Sequence, residues 1–217
     1  MADSDLPLPQ KLALAHAGGA VRPILEPFLA LDSRLGEFVS QAKEPILTQM
    51  RIAWWRDQLA KPVADRPKGD PILDAIGQYW QGEEQALTGL VDGWEGLLAE
   101  PPLPESAAGQ FVEGRAACFA ATARLSAFSR YEEAALAAGR RWGWADLAAR
   151  LSDAEERQFV LDQSEENAPH RMKLPRALRS LTILKTLGDR ALDNSGRSLA
   201  STRADLLVVI RLGIFGR

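Results

Sequence analysis

The chain has few of the residue types that build most catalytic and metal centres. Its 217 residues include a single cysteine and two histidines. A lone Cys118 excludes an internal disulfide framework and any cysteine metal cluster, and it points to the reducing cytoplasm as the natural compartment. Its setting, AACFAA, predicts a buried small apolar side chain rather than an activated nucleophile. His16 and His170 do not form an H-E-x-x-H pair, and G-x-S-x-G, Walker A and G-x-G-x-x-G are all absent. The glycines of HAGGAV at 16–21 follow no strand, so they read as a break between helical segments.

Long apolar runs are missing too. Pieces such as LLVVI at 206–210 fall far below the roughly 18–20 residues of a membrane helix. The N-terminus, MADSDLPLPQ, opens acidic, unlike a secretory signal. Charge of one sign is not in excess. With 26 basic against 29 acidic residues the net charge is -3, so no nucleic-acid partner is expected and any anion site must be local. A cytoplasmic location is the expectation, with peripheral contact to a membrane left open, and RLGIFGR at the C-terminus permits such contact.

What remains is alanine, leucine, arginine, glutamate and glutamine between proline and glycine punctuation, with almost no alternating β-branched runs. This predicts an all-α protein, and the length suits one domain over 1–217. DPILDAIGQYW predicts a helix with Asp70 as N-cap, Pro71 in first position and a face of Ile72, Leu73, Ile76, Tyr79 and Trp80. Leu87, Leu90, Val91, Trp94, Leu97 and Leu98 repeat at helical spacing. The three prolines of AEPPLPES break the chain before helical segments at 107–129, with Ser106 as its cap, and at 131–151. A polar loop is expected over 162–175, then a helix at 176–192 and a terminal helical segment. Upstream, Pro23 and Pro27 interrupt the pattern, and helix resumes after Pro27.

Pro45 and Pro62 bracket EPILTQMRIAWWRDQLAKP, a helix of about four turns. Ile46, Met50, Ala53 and Trp54 share one face, while Ile52, Trp55 and Leu59 extend the apolar surface, so the helix is expected to be buried on much of its circumference. Arg51 stands one turn before Trp55, in reach of that indole.

Helical metal sites use carboxylates one turn apart. Asp70 and Asp74 fit that spacing but are explained by helix capping, whereas Asp189 and Asp193, with Arg190 between them, read as solvated surface. The basic run PHRMKLPRALR places His170, Arg171, Lys173, Arg176 and Arg179 at a helix start, either as a solvated loop or as a site for a phosphate or an anionic membrane surface.

LALDSRLGEFVSQAKEPILTQMRIAWWRDQL followed by GDPILDAI resembles the squalene/phytoene synthase family. FVEGRAACFAATARL with ALAAGRRWGWADLAAR, and LPRALRSLTILKTLGDRAL, are similar in order and character to its central and late helices. The resemblance implies an isoprenoid-synthase-like helical bundle around a central apolar cavity. In active members, two aspartate-rich helices there bind Mg²⁺ and prenyl diphosphates for head-to-head condensation. Neither aspartate motif is intact. In place of the first stands ALDSRLGEF, where Asp32 and Glu37 are five residues and therefore about 140° apart on an ideal helix. In place of the second stands WADLAARLSDAEER, with Asp146 isolated and Asp153, Glu155 and Glu156 at what reads as the helix end.

The preferred reading is therefore a catalytically reduced member, similar to the branch that includes the mitochondrial complex I assembly factor, binding an isoprenoid or a protein partner and having no assigned catalytic residue. The alternative is an active Mg²⁺-dependent prenyltransferase that condenses farnesyl or geranylgeranyl diphosphate. Its metal would sit on Asp32, Glu37, Asp146 and Asp153, and Arg51 or Arg56 would hold diphosphate beside Trp54 and Trp55. A third reading is a plain helical scaffold without a ligand.

Overall fold

Proline marks the first turn of four of the first helices, where a missing N–H costs no hydrogen bond. The computed structural model describes residues 6–42, 44–166, 173–197, 199–200 and 202–215. Among these the secondary structure is helical, without strands. The elements are α1 (Leu8–Ala15), α2 (Arg22–Ser40), α3 (Pro45–Leu59), α4 (Pro71–Tyr79), α5 (Glu84–Gly96), α6 (Glu105–Leu125), α7 (Glu132–Arg150), α8 (Ala154–Glu166), α9 (Arg179–Asp193) and α10 (Arg203–Phe215). No helix among the described residues is long and apolar enough to cross a membrane.

The best-marked start is that of α4. Asp70 Oδ1 accepts from the N–H groups of Ile72 at 2.9 Å and Leu73 at 3.1 Å. Two of the donors that a helix start leaves unpaired are satisfied this way. Asp74 Oδ2 accepts from Gly69 N–H at 3.1 Å, so both acids of that pair serve the helix start. Tyr79, expected on the buried face, is exposed.

Three boundaries differ from expectation. Pro27 lies inside a continuous α2 rather than before a resumed helix, because Leu25, Phe28, Leu29 and Leu31 around it are fully buried and their packing outweighs the lost backbone bond. Ser106 is inside α6, and the N-cap position belongs to Pro104. The acids after α7 do not end a helix. The chain leaves α7 at Arg150, and Asp153 Oδ1 then accepts from the N–H groups of Glu155 (2.9 Å) and Glu156 (3.0 Å), opening α8, which runs to Glu166 through part of the expected loop.

α5, α6, α7 and α9 pack in sequence, with α3 on α5, α4 on α2, α8 on α7, and α1 and α10 on α9. Close approach along this series depends on glycine. A Cβ on Gly93 would stand 2.7 Å from Phe111 Cα, and one on Gly139 would stand 2.7 Å from Ala116 Cα. With so little spacing, side chains from α2, α6 and α7 interdigitate deeply. Phe28, Phe119 and Trp142 meet ring to ring, with centroids 5.4–6.3 Å apart. Trp80 closes the cluster and donates its indole N–H to Ile24 O at 2.9 Å.

Candidate functional site

The fully buried stripe of α6 runs Phe111, Arg115, Phe119, one residue per helical turn. Its middle member carries a charge. Arg115 is completely buried and grips Asp32 of α2 with two parallel bonds, Nε to Oδ1 and Nη2 to Oδ2, both 2.9 Å. Its Nη1 donates to Asp146 Oδ2 of α7 at 2.6 Å. Trp94 of α5 also donates its indole N–H to Asp32 Oδ1 at 2.9 Å, and Arg150 Nε donates to Asp146 Oδ2 at 2.7 Å. One guanidinium thus joins α2, α6 and α7, and α5 reaches the same carboxylate.

Aromatic faces enclose the cation. The Arg115 guanidinium carbon lies 4.3 Å from the Trp142 ring centroid, 4.4 Å from that of Phe111 and 5.2 Å from that of Trp94. Ring quadrupoles attract cations, so this wall offsets part of the desolvation. Burial works against the guanidinium charge, but the carboxylates of Asp146 and Asp32 outweigh it and raise its pKa above the ordinary arginine value. Burial likewise pushes the Asp146 carboxyl up. Arg115 and Arg150 outweigh that and hold it below the usual carboxylate range.

Asp32 and Asp146, expected as separate acids, are therefore brought to one guanidinium. Glu37 and Asp153 are not. Glu37 is exposed on the far side of α2, as its phase on the helix predicts, and Asp153 caps α8. Among the described residues, no group of three or more histidine, cysteine or acidic side chains is gathered closely enough to hold a metal ion. Arg115 was not singled out in the sequence, although its phase with Phe111 and Phe119 marks it as a core position.

The tryptophan helix divides in two. Ile52, Trp55 and Leu59 are buried, as expected. Ile46 and Met50 are 72% and 65% exposed and Trp54 is 40% exposed, so the other face is not the packed surface that its composition suggests. Arg51 does not lie over Trp55; its guanidinium carbon is 5.8 Å from the Phe38 ring centroid. Arg56 is five residues on and therefore about 140° around the helix from Arg51. It turns to α5, where its Nε donates to Asp92 Oδ1 at 2.6 Å and it also binds Glu95. Glu95 and Asp92 raise its pKa against the opposing effect of burial. The two arginines therefore do not share a site.

Of the basic run, His170 and Arg171 lie outside the described residues, Lys173 is exposed, and Arg179 Nε donates to His16 O at 2.8 Å. Asp189 is bound by Arg141 Nε at 2.8 Å and Lys185 Nζ at 2.5 Å, whereas Asp193 is exposed. Cys118 is buried as expected, and burial holds its thiol well above the ordinary value. Compared with known proteins, the chain matches no family model, no curated protein and no solved structure.

Proposed function

We propose that the chain is a squalene/phytoene synthase-like helical protein that performs no prenyl transfer and works by binding a protein partner. The observation that carries this reading is Arg115. In the family that the sequence resembles, acids on two facing helices hold Mg²⁺ and diphosphate. In this chain, the acids at the corresponding places, Asp32 and Asp146, are neutralised by an internal guanidinium at 2.6–2.9 Å.

The residues present do not fit a Mg²⁺ cluster. Both oxygens of Asp32 accept protein hydrogen bonds, and Asp146 is shared between two arginines. A cation within about 4 Å of Arg115 meets repulsion of roughly 4 kcal/mol per unit charge at an effective dielectric near 20. A diphosphate ionisation without its metal lacks the electrostatic stabilisation that usually dominates such chemistry. Arg115, Phe111, Phe119, Trp142 and Phe28 also fill the junction of α2, α6 and α7, which favours a protein partner over an isoprenoid held there. The exposed apolar face of α3 supplies a surface for such a partner.

The test is isothermal titration and product analysis of the full chain with farnesyl diphosphate and Mg²⁺. The expected result is no Mg²⁺-dependent binding and no condensed product. A Mg²⁺-dependent hydrocarbon product overturns the proposal.

A further inference from the structure

We infer that the outer face of α3, with the groove beside it, is the seat of an amphipathic helix bearing carboxylates along one flank; this rests on the partner-binding reading above. Ile46, Met50 and Trp54 are spaced four residues apart and Leu47 lies beside them, so four exposed apolar side chains form one stripe about 12 Å long, from a rise of 1.5 Å per residue. A stripe of that period is what the apolar face of a second helix covers. Beside it runs a groove of about 440 Å³, whose apolar lining of Phe38, Leu47, Met50 and Trp54 is flanked by Arg51 and by the Arg34–Asp70 pair.

The charge of the groove selects the partner. Arg51 touches the Phe38 ring and has no ion-pair partner among the described residues, unlike Arg56, Arg115, Arg124, Arg140 and Arg150. Arg34 Nη1 lies 3.8 Å from Asp70 Oδ2, the carboxylate oxygen that does not cap α4, so this arginine is already paired. Arg51 therefore flanks an apolar slot with donors to spare, and a carboxylate on the flank of the incoming helix completes it. A membrane surface fits less well. Two arginines, one of them paired with Asp70, fall short of the basic clusters that anionic bilayers attract.

The test uses the full chain and a fluorescein-labelled, alanine-based helical peptide with leucines at i, i+3, i+4 and i+7 and glutamates on one flank. A second peptide has lysine in place of glutamate. Anisotropy is expected to show the acidic peptide binding at least ~tenfold more tightly, with Arg51→Glu erasing or reversing that preference and Met50→Asp removing both. Equal affinity for the two peptides, or a preference that survives Arg51→Glu, overturns the assignment. So does capture by phosphatidylglycerol vesicles without peptide binding, or self-association that Met50→Asp abolishes. Farnesyl diphosphate turnover reports separately on the proposed function, so failure of the seat and failure of that reading are distinguishable. Circular dichroism of the Met50→Asp and Arg51→Glu chains, whose altered side chains are exposed, confirms that loss of binding is not loss of fold.

Discussion

The junction of α2, α6 and α7 and the outer face of α3 invert the usual partition of a folded chain. The first buries an arginine and an aspartate and half-buries a second aspartate; the second leaves isoleucine, leucine, methionine and tryptophan in water. The inversions are not equivalent. Inside, each charge is matched by an opposite charge, hydrogen bonds and aromatic faces, so the anomaly is complete within the chain. Outside, nothing in the described chain covers the apolar stripe, and Arg51 beside it lacks a carboxylate. A closed anomaly holds the fold together, whereas an open one invites another molecule.

The sharpest way to break this comparison is to remove the hub. Arg115→Met should cost about 3–5 kcal/mol in urea unfolding, because Asp32 is left buried without its counter-charge. Adding Asp32→Asn should recover part of the loss. A cost below about 1 kcal/mol for Arg115→Met would mean that Asp32 does not depend on this guanidinium for its counter-charge. Next in size is Asp146→Asn, expected to cost about 1–3 kcal/mol at neutral pH. The native carboxyl titrates below its unfolded value, so its contribution is complete above the unfolded pKa of about 3.9 and is lost as pH falls through the native value. The stability gap between wild type and Asp146→Asn should therefore shrink on acidification through that window, and a gap that widens there removes the assignment. The smallest effect belongs to the surface. Met50→Ala should change stability by no more than about 0.5 kcal/mol, as thermal melts would show, and a larger loss would mean the stripe is covered after all.

The sequence announced the elements whose chemistry is local. The Asp70–Pro71 start of α4 and the proline brackets of α3 needed no tertiary information. α8 was hidden because AEERQFVLDQSEE offers Phe159, Val160 and Leu161 as one adjacent trio instead of a periodic face, and it is held by the Asp153 cap and the buried Val160. The faces of α3 were also hidden. Apolar residues surround that helix, so its sequence cannot say which side meets α5 and which meets water. Asp146 looked isolated because its partner stands 31 residues earlier in the chain, on another helix. Arg115 was legible in principle from its phase with Phe111 and Phe119, but an arginine among small residues reads as a snorkelling surface residue until its neighbours are known.

The hub also constrains the order in which this sequence can change. Acids added near Asp32 or Asp146 would still face the Arg115 guanidinium, and losing Arg115 first leaves two inward carboxylates, one of them fully buried, without their shared counter-charge. Every single step away from the present arrangement passes through a destabilised chain, so the three residues can be replaced only together, or after other substitutions have first supplied enough spare stability.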